Sequence, residues 1–248
     1  MFSIFKKKNT VTISKGYFPI LTDIHSHILP DIDDGSPNID TSINLIEGLM
    51  KLGIKKSIAT PHIIADIYRN NAITINNALV LLKNEIIARG IDFDVSAAAE
   101  YMLDDYFFAL LTNKIPLLTI KDNFVLTEFS YAERPYNPQQ MVFCLITEGY
   151  QPILAHPERY GYYHNDYKQY HILNELGFLL QVNLLSLTGY YGKPVAKAAN
   201  YIVKNNLAAF TATDLHHSRH LQALQLPTNQ RIFAEIFAGK TFNTEMSF

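Results

Sequence analysis

Seven short apolar segments recur along the chain, and longer amphipathic stretches lie between most of them. In residues 40–52, for example, Ile43, Ile46 and Met50 share one face of a helix. Four such stretches end in a glycine shortly before the next apolar segment, as expected for a helix C-cap. Parallel strands need a crossover connection, usually a helix, so this alternation predicts an α/β fold with a parallel sheet.

The predicted elements fit one domain. A chain of 248 residues with this alternation has the size of a single α/β barrel. We expect residues 19–248 to form that domain, with the sheet closed as a barrel, after a short basic arm over residues 1–18. An open doubly wound sheet is the alternative that the pattern leaves open. The predicted strands are Pro19–Ile24, Lys55–Thr60, Phe93–Ala99, Asn123–Thr127, Gln151–Ala155, Leu179–Val182 and Ala208–Thr211. The predicted helices are Asp40–Leu52, Asn76–Arg89, Pro138–Glu148, Asp166–Leu176 and Pro194–Asn205.

Composition excludes several classes of protein. With 21 basic and 23 acidic residues the formal charge is −2, which disfavours binding to nucleic acid through bulk positive charge. Cys144 is the single cysteine, so neither an intrachain disulfide nor a cysteine zinc cluster can form. No apolar run approaches the ~18 residues of a membrane span. The first residues lack the hydrophobic segment of a secretory signal, so we expect a cytoplasmic enzyme without membrane insertion.

Metal-ligand side chains fall at the ends of the predicted strands. About one candidate per strand–helix unit is the pattern that a site at the C-terminal mouth of a parallel barrel requires. The sequence His25-Ser26-His27 places both imidazoles on the same side of an extended chain. Asp33 and Asp34 follow in a segment that ends at Gly35, where they either begin a turn or reach a metal. The strand-end candidates are His25, His27, His62, Glu100, Glu128, His156, Asp214 and His216.

The motifs around these residues resemble a known superfamily. In chain order they are DIHSHILPDIDDG, ATPH, AAAEY, the glutamate of LTEFSY, LAHPERY, QVNLLSLTGYYG and TATDLHH. Together they resemble the polymerase-and-histidinol-phosphatase (PHP) superfamily, and more closely its bacterial branch of manganese-dependent tyrosine phosphatases associated with capsular and extracellular polysaccharide synthesis. The resemblance runs from about Leu21 to His220. It implies a distorted (β/α)7 barrel that holds three metal ions at the C-terminal mouth of its strands.

The resemblance also implies a division of the ligands among the ions. Imidazole and carboxylate donors suit Mn²⁺, Fe²⁺ or Zn²⁺; Mn²⁺ is the choice on resemblance, while donor type alone leaves zinc and iron open. The first ion would be held by His25, His27, Glu100 and Asp214, the second by Glu100 as a bridge with Glu128 and His156, and the third by Asp34, His62 and His216.

Two arginines and an asparagine are the predicted substrate-binding residues. Arg159, three residues after His156, matches a family arginine that binds the substrate phosphate, and its planar fork suits phosphoryl oxygens. Arg219 is a second candidate, although its segment is shorter than in the family. Asn183 ends the sixth predicted strand and completes the set of one polar group per strand. His216 is also predicted to serve catalysis, as a donor of the proton to the leaving group.

The predicted activity is hydrolysis of phosphotyrosine in proteins by attack of a metal-bound hydroxide. By resemblance, the substrate is a bacterial tyrosine kinase that controls polysaccharide synthesis or export. The alternatives are a small-molecule phosphatase of the histidinol-phosphate type and a metal-binding regulatory module without turnover. A cysteinyl-phosphate mechanism is excluded, because the Cys-x5-Arg loop that it needs is absent.

Overall fold

The structure, a computed structural model, describes residues 18–237 and 241–246. The predicted basic arm therefore lies outside the described residues, apart from Phe18 at its end. Phe18 is buried and packs edge-on against Phe233, with ring centroids 5.9 Å apart. The described chain thus begins with a residue that is part of the core.

Every strand pairing in the described chain is parallel. The strands form one sheet of order β1-β2-β4 and a second of order β3-β5-β6-β7-β8-β9. The strands are β1 (Thr22–Asp23), β2 (Lys56–Ala59), β3 (His62–Ile63), β4 (Asp94–Ala97), β5 (Glu100–Met102), β6 (Phe124–Glu128), β7 (Gln151–Ala155), β8 (Leu179–Asn183) and β9 (Ala208–Ala212).

The predicted closed barrel is not confirmed. All seven predicted strands are present, but over residues 18–237 and 241–246 they build two sheets that do not close. The break after β2 falls at Pro61, which has no amide hydrogen to donate to a neighbouring strand. The chain continues beyond that break as β3, a member of the other sheet, and it passes in the same way from β4 to β5. An isolated bridge between Ser26 and Leu215 links the segments that follow β1 and β9.

Side-chain caps set the helix boundaries. The second helix begins at Ala72, earlier than predicted, because Asn71 accepts hydrogen bonds from the backbone N–H groups of Ile73 and Thr74. Three helices were not predicted: α3, α7 and α8. The helices are α1 (Ile39–Lys51), α2 (Ala72–Ala88), α3 (Asp105–Thr112), α4 (Pro138–Thr147), α5 (Lys168–Leu176), α6 (Lys193–Lys204), α7 (Ser218–Gln225) and α8 (Pro227–Phe237).

Apolar side chains fill the space enclosed by the strands. Ile24 lies just after β1, and Ile58, Leu126, Ile153 and Phe210 lie in β2, β6, β7 and β9. All five are at most 2% exposed. The interior is therefore packed, and polar groups gather where the strands end. Within the described residues, the helices are all too short or too polar to cross a membrane.

Candidate metal centre

The nine predicted ligands converge at the C-terminal ends of the parallel strands. His62 and Glu100 lie just beyond the C-terminal ends of β2 and β4, at the starts of β3 and β5. Glu128 ends β6, and the others follow β1, β7 or β9. Six of the nine are buried, two are half-buried, and Asp34 is exposed. The structure thus brings together Asp34 and residues from six different strand ends. The nine are His25, His27, Asp34, His62, Glu100, Glu128, His156, Asp214 and His216.

Two ligands sit on a sharply turning backbone. His156 follows β7 with φ of 35°, and Asp214 lies just beyond β9 with φ of 51°. Both values lie in the left-handed region, which histidine and aspartate tolerate better than β-branched residues do. Backbone strain of this kind is concentrated at functional sites. The turns let each side chain reach the centre of the mouth.

The ligand atoms form four overlapping groups, each within 4.8 Å. His25 Nε2 lies 3.2 Å from Glu100 Oε2 and 3.3 Å from Asp214 Oδ1, two residues predicted to share the first ion with it. His156 Nε2 lies 3.0 Å from Glu100 Oε1. The groups are His25, His27 and Glu100; His25, His156 and Asp214; His62, Glu100 and Glu128; and His27, Asp34, His62 and His216.

His62 lies between two of the predicted ion positions. Its Nδ1 is 3.1 Å from Glu100 Oε2 and 3.0 Å from Glu128 Oε1, whereas its Nε2 is 3.5 Å from Asp34 Oδ1. It was expected beside Asp34 and His216 only. The division of the ligands among three ions therefore stays a prediction.

Unpaired buried atoms indicate that the cluster fits cations. His62 Nδ1, Glu100 Oε2, Glu128 Oε1 and Asp214 Oδ1 are all buried without a hydrogen-bond partner. A buried polar atom without a partner is costly, and a buried carboxylate more so. These same four atoms point at other ligand atoms of the cluster. Divalent cations would satisfy them, and nitrogen and oxygen donors without thiolate suit first-row metals.

Without a cation, the charges of the cluster compensate one another. Burial raises the pKa of Glu100, but His25 and His62 outweigh it and hold that pKa well below its ordinary value. The pKa of Asp214 is likewise held low against burial, chiefly by His25. Burial lowers the pKa of His25, yet Glu100 and Asp214 raise it to about 9. Protonated imidazoles and ionised carboxylates therefore stabilise one another within the cluster.

Three of the histidines are oriented by a partner outside the ligand set. His27 Nδ1 lies 2.7 Å from Asp33 Oδ2, and His25 Nδ1 lies 2.9 Å from Gln181 Oε1. His156 Nδ1 lies 3.2 Å from the hydroxyl of Tyr131. In each case Nε2 faces the cluster, and such outer partners fix the ring orientation of metal-binding histidines.

A cavity of about 260 Å³ opens above the cluster. Arg159, 26% exposed at its side chain, donates from Nη1 to Asp214 Oδ2 at 2.8 Å. Its guanidinium lies 5.2 Å from the ring centre of Tyr131 and 4.6 Å from that of Tyr191. Two aromatic faces and one carboxylate thus hold the Arg159 guanidinium at the cavity wall, and its other N–H groups are left to bind an anion. The cavity is lined by Asp34, His62, Glu128, Tyr131, His156, Arg159, Tyr191, Asp214, His216, His217 and His220.

The other predicted functional residues lie in different surroundings. Arg219 is exposed on α7 and does not line the cavity. Asn183 is fully buried, and its side-chain nitrogen donates to Asp214 Oδ2 at 2.7 Å. His216 lines the cavity. Burial and His27 lower its pKa to about 4. Substrate binding by Arg219 and Asn183 and proton donation by His216 remain predictions.

Tyr131, Tyr191 and Gln181 were not singled out from the sequence. Tyr131 lies three residues after Glu128, and Tyr191 is in the GYYG turn. Both tyrosines were within quoted motifs, but aromatic residues are common in loops and carry no ligand signal. Gln181 contacts His25 across 156 residues of chain, a distance over which no local pattern operates.

Known proteins are similar to this chain over most of its length. The sequence profile of the family "Capsular polysaccharide synthesis, CpsB/CapC" matches residues 12–234. A putative tyrosine-protein phosphatase CapC of Staphylococcus aureus is 31% identical over 196 residues, which cover 79% of this chain and 77% of that protein. The tyrosine-protein phosphatase YwqE of Bacillus subtilis (strain 168) is 31% identical over 198 residues, covering 79% and 78%.

A solved structure has the same fold. It belongs to a study of YwqE from Bacillus subtilis and CpsB from Streptococcus pneumoniae, described as unique metal-dependent tyrosine phosphatases. It aligns with a TM-score of 0.75 and 27% identity over 89% of this chain and 96% of that one. These matches confirm the resemblance that the motifs indicated. Because the profile spans most of its length, the chain belongs to the CpsB/CapC family of capsular polysaccharide synthesis proteins.

Proposed function

We propose that this chain is a metal-dependent phosphatase that hydrolyses phosphotyrosine in proteins. The observation that carries the proposal is the cluster of nine imidazole and carboxylate ligands beside Arg159 in one cavity. Relatives that share about 31% of its residues over most of the chain are named tyrosine-protein phosphatases. A small-molecule phosphatase is not favoured, because none of these relatives is named as one.

The ligand cluster would hold up to three divalent cations, and Mn²⁺ is the proposed metal. When bound, such cations supply an activated water for attack on phosphorus and neutralise charge on the phosphoryl oxygens. Glu100 offers both carboxylate oxygens to the cluster, Oε2 toward His25 and Oε1 toward His156. It is therefore the residue best placed to bridge two ions.

Arg159 is the proposed phosphate-binding residue. Arg159 Nη1 and Asn183 Nδ2 both donate to Asp214 Oδ2. Asp214, held by Asn183, therefore anchors one nitrogen of the Arg159 guanidinium. A guanidinium has five N–H donors, so one bond to Asp214 leaves others for phosphoryl oxygens. The rings of Tyr131 and Tyr191 restrict its motion without using those donors. Arg219 would reach substrate only from the exposed surface of α7.

The leaving group of phosphotyrosine needs little acid assistance. A phenol has a pKa of ~10, well below that of an alkyl alcohol. Because the pKa of His216 is about 4, its imidazole is neutral at neutral pH. A neutral imidazole suits a metal ligand better than a proton donor. We therefore favour the ligand role of His216 over its predicted acid role.

The nucleophile does not come from cysteine. Cys144 lies on α4, half-buried, and is not among the residues that line the cavity. A covalent cysteine mechanism needs the thiol within reach of the phosphate. The position of Cys144 supports hydrolysis by an activated water instead.

The biological setting is proposed from the family. We infer that residues 19–248 act as one catalytic domain in the cytoplasm, and that the substrate is a phosphotyrosine protein. A tyrosine kinase that controls polysaccharide synthesis or export is the proposed partner. The family description, capsular polysaccharide synthesis, supports this setting.

The test is a comparison of substrates after the protein has been loaded with Mn²⁺. We expect rapid phosphate release from a tyrosine-phosphorylated peptide and slow or no release from histidinol phosphate. Short DNA should remain uncut, since the net charge offers no broad strand-binding surface. Preference for histidinol phosphate would favour the small-molecule alternative, and turnover of none of the three would favour a regulatory module.

A further inference from the structure

Two amide side chains on β8 connect a ligand from the first strand to a ligand from the last. Asn183 Nδ2 lies 2.7 Å from Asp214 Oδ2, and Gln181 Nε2 lies 2.8 Å from Asn183 Oδ1. Gln181 Oε1 lies 2.9 Å from His25 Nδ1. The four side chains belong to residues that are at most 1% exposed. We call Gln181 and Asn183 the amide pair.

The chemistry of these groups fixes the direction of every hydrogen bond. An ionised carboxylate only accepts, so Asn183 must turn its NH₂ group toward Asp214. The oxygen of Asn183 then faces Gln181 and must receive an N–H from it. The remaining oxygen of Gln181 accepts from His25, which therefore carries a proton on Nδ1. In the neutral imidazole, the lone pair of His25 is then on Nε2, the nitrogen that faces Glu100 and Asp214.

The backbone of β8 is itself tied to the loop that carries another ligand. Glu158, fully buried in the short 3-10 helix Pro157–Arg159, accepts from the backbone N–H of Asn183 at 2.9 Å. That helix follows directly after His156. The position of the amide pair relative to the metal ligands is thus fixed, and its buried side chains cannot hydrogen-bond to solvent instead.

We propose that Gln181 and Asn183 are positioning residues, which select the Nδ1–H form of His25 and aim Asp214 so that both ligands are preorganised for metal. This assigns Asn183 a role in the metal site in place of direct contact with substrate. The inference depends on the proposed function only in requiring that the cluster binds metal. Its tests measure zinc binding, so they can fail while phosphate release succeeds, and the reverse.

The main test is zinc binding by Gln181→Met, which keeps the length of the side chain but removes both hydrogen bonds. Competition with a chelator of known affinity gives the dissociation constant for each equivalent of Zn²⁺. We expect one equivalent to bind about 10–100-fold more weakly, the usual effect of removing an outer partner. The matched control is Gln151→Met, which removes an amide that donates to the carbonyl of Gly177 at the opposite end of the strands. The control should bind zinc as the wild type does.

Nitrogen-15 NMR of the zinc-loaded protein gives a second readout, which begins with the wild type. His25 should bind zinc through Nε2 and show a slowly exchanging proton on Nδ1. Gln181→Met removes the acceptor for this proton and should lose the signal. The proposal is overturned if zinc binds Nδ1 of His25 in the wild type or if Gln181→Met keeps the slowly exchanging signal. It is also overturned if Gln181→Met binds zinc with wild-type affinity or if Gln151→Met weakens binding equally.

Discussion

Arg159 is the residue at which substrate binding can be separated from metal binding. It has no lone pair for a metal, and hydrogen bonds from a charged group contribute about 1.5–3 kcal/mol. Arg159→Ala should therefore lower kcat/KM for a phosphotyrosine peptide by roughly tenfold to a few hundredfold, at about 1.4 kcal/mol per decade. Metal content, measured by atomic emission, should equal that of the wild type.

Arg159→Lys should recover only part of this loss, because an ammonium keeps the charge without the planar fork. If Arg159→Ala lost metal, Arg159 would be a support for Asp214, to which it donates at 2.8 Å. If Arg159→Ala kept full activity, the exposed Arg219 would become the better candidate for binding phosphate.

His25 contacts three other ligands of the cluster, namely Glu100, Asp214 and His27. His25→Ala should lower the metal content by at least one equivalent and abolish hydrolysis under limiting Mn²⁺. The matched control is His171→Ala on α5. The His171 imidazole lies outside the cluster and forms a hydrogen bond with the hydroxyl of Tyr201. Full activity in folded His25→Ala would contradict the assignment.

The nine residues predicted as ligands come together in the structure, whereas most of the side chains that hold them in place were not predicted. Ligands stand at strand ends and occur in motifs, so both position and residue type identify them. The partners Gln181, Tyr131 and Tyr191 are ordinary residue types whose roles depend on distant neighbours. Asn183 was noticed for its place at a strand end, but its buried bond to Asp214 emerges only from the fold.

At the scale of elements, the loop that carries Asp33 and Asp34 depends on Gly35. A methyl group at Gly35 would overlap the carbonyl oxygen and Cβ of His27. The backbone N–H of Gly35 also donates to Asp33 Oδ1 at 2.9 Å. Gly35→Ala should displace this loop, lower metal content and reduce activity, as read by metal analysis and kinetics.

Gly161→Ala is the control for this change, because a methyl group there meets no atom within 4 Å. It should leave metal content and activity unchanged. Wild-type metal content in Gly35→Ala would contradict the proposed role of Asp34 as a metal ligand. It would show that metal binding does not depend on the close approach of this loop to His27.

The element boundaries also show what the sequence could not reveal. Apolar periodicity located all seven predicted strands, and β7 has the predicted bounds Gln151–Ala155. The short strands β3 and β5 were missed, because each has at most three residues and begins with a charged or titratable ligand. The predicted closure of the sheet as a barrel is not confirmed. The apolar pattern does not show where a strand is interrupted and the chain passes to the other sheet.

At the scale of the whole molecule, metal binding should be coupled to pH. Burial lowers the pKa of His25, but Glu100 and Asp214 raise it from 6.5 to about 9 in the metal-free protein. The proton stabilises the metal-free fold fully below pH 6.5, and this contribution is lost as the pH rises through 9. Metal must displace that proton, so affinity should increase with pH up to about 9.

Calorimetry in buffers of different ionisation enthalpy measures this coupling directly. At pH 7.5 the binding of Mn²⁺ should release at least one proton per protein. An observed enthalpy that does not depend on the buffer, together with constant affinity between pH 6.5 and 9, would show that His25 is already neutral in the metal-free protein.

We propose that this ligand cluster makes the chain a metal-dependent phosphotyrosine phosphatase. The most direct measurement is the initial rate of phosphate release from a tyrosine-phosphorylated peptide, followed as Mn²⁺ is added back to chelator-stripped, folded protein. We expect no activity in the stripped protein and a rate that rises with bound metal until the cluster is filled. Full activity in the stripped protein, or none in the fully loaded protein, would contradict the account.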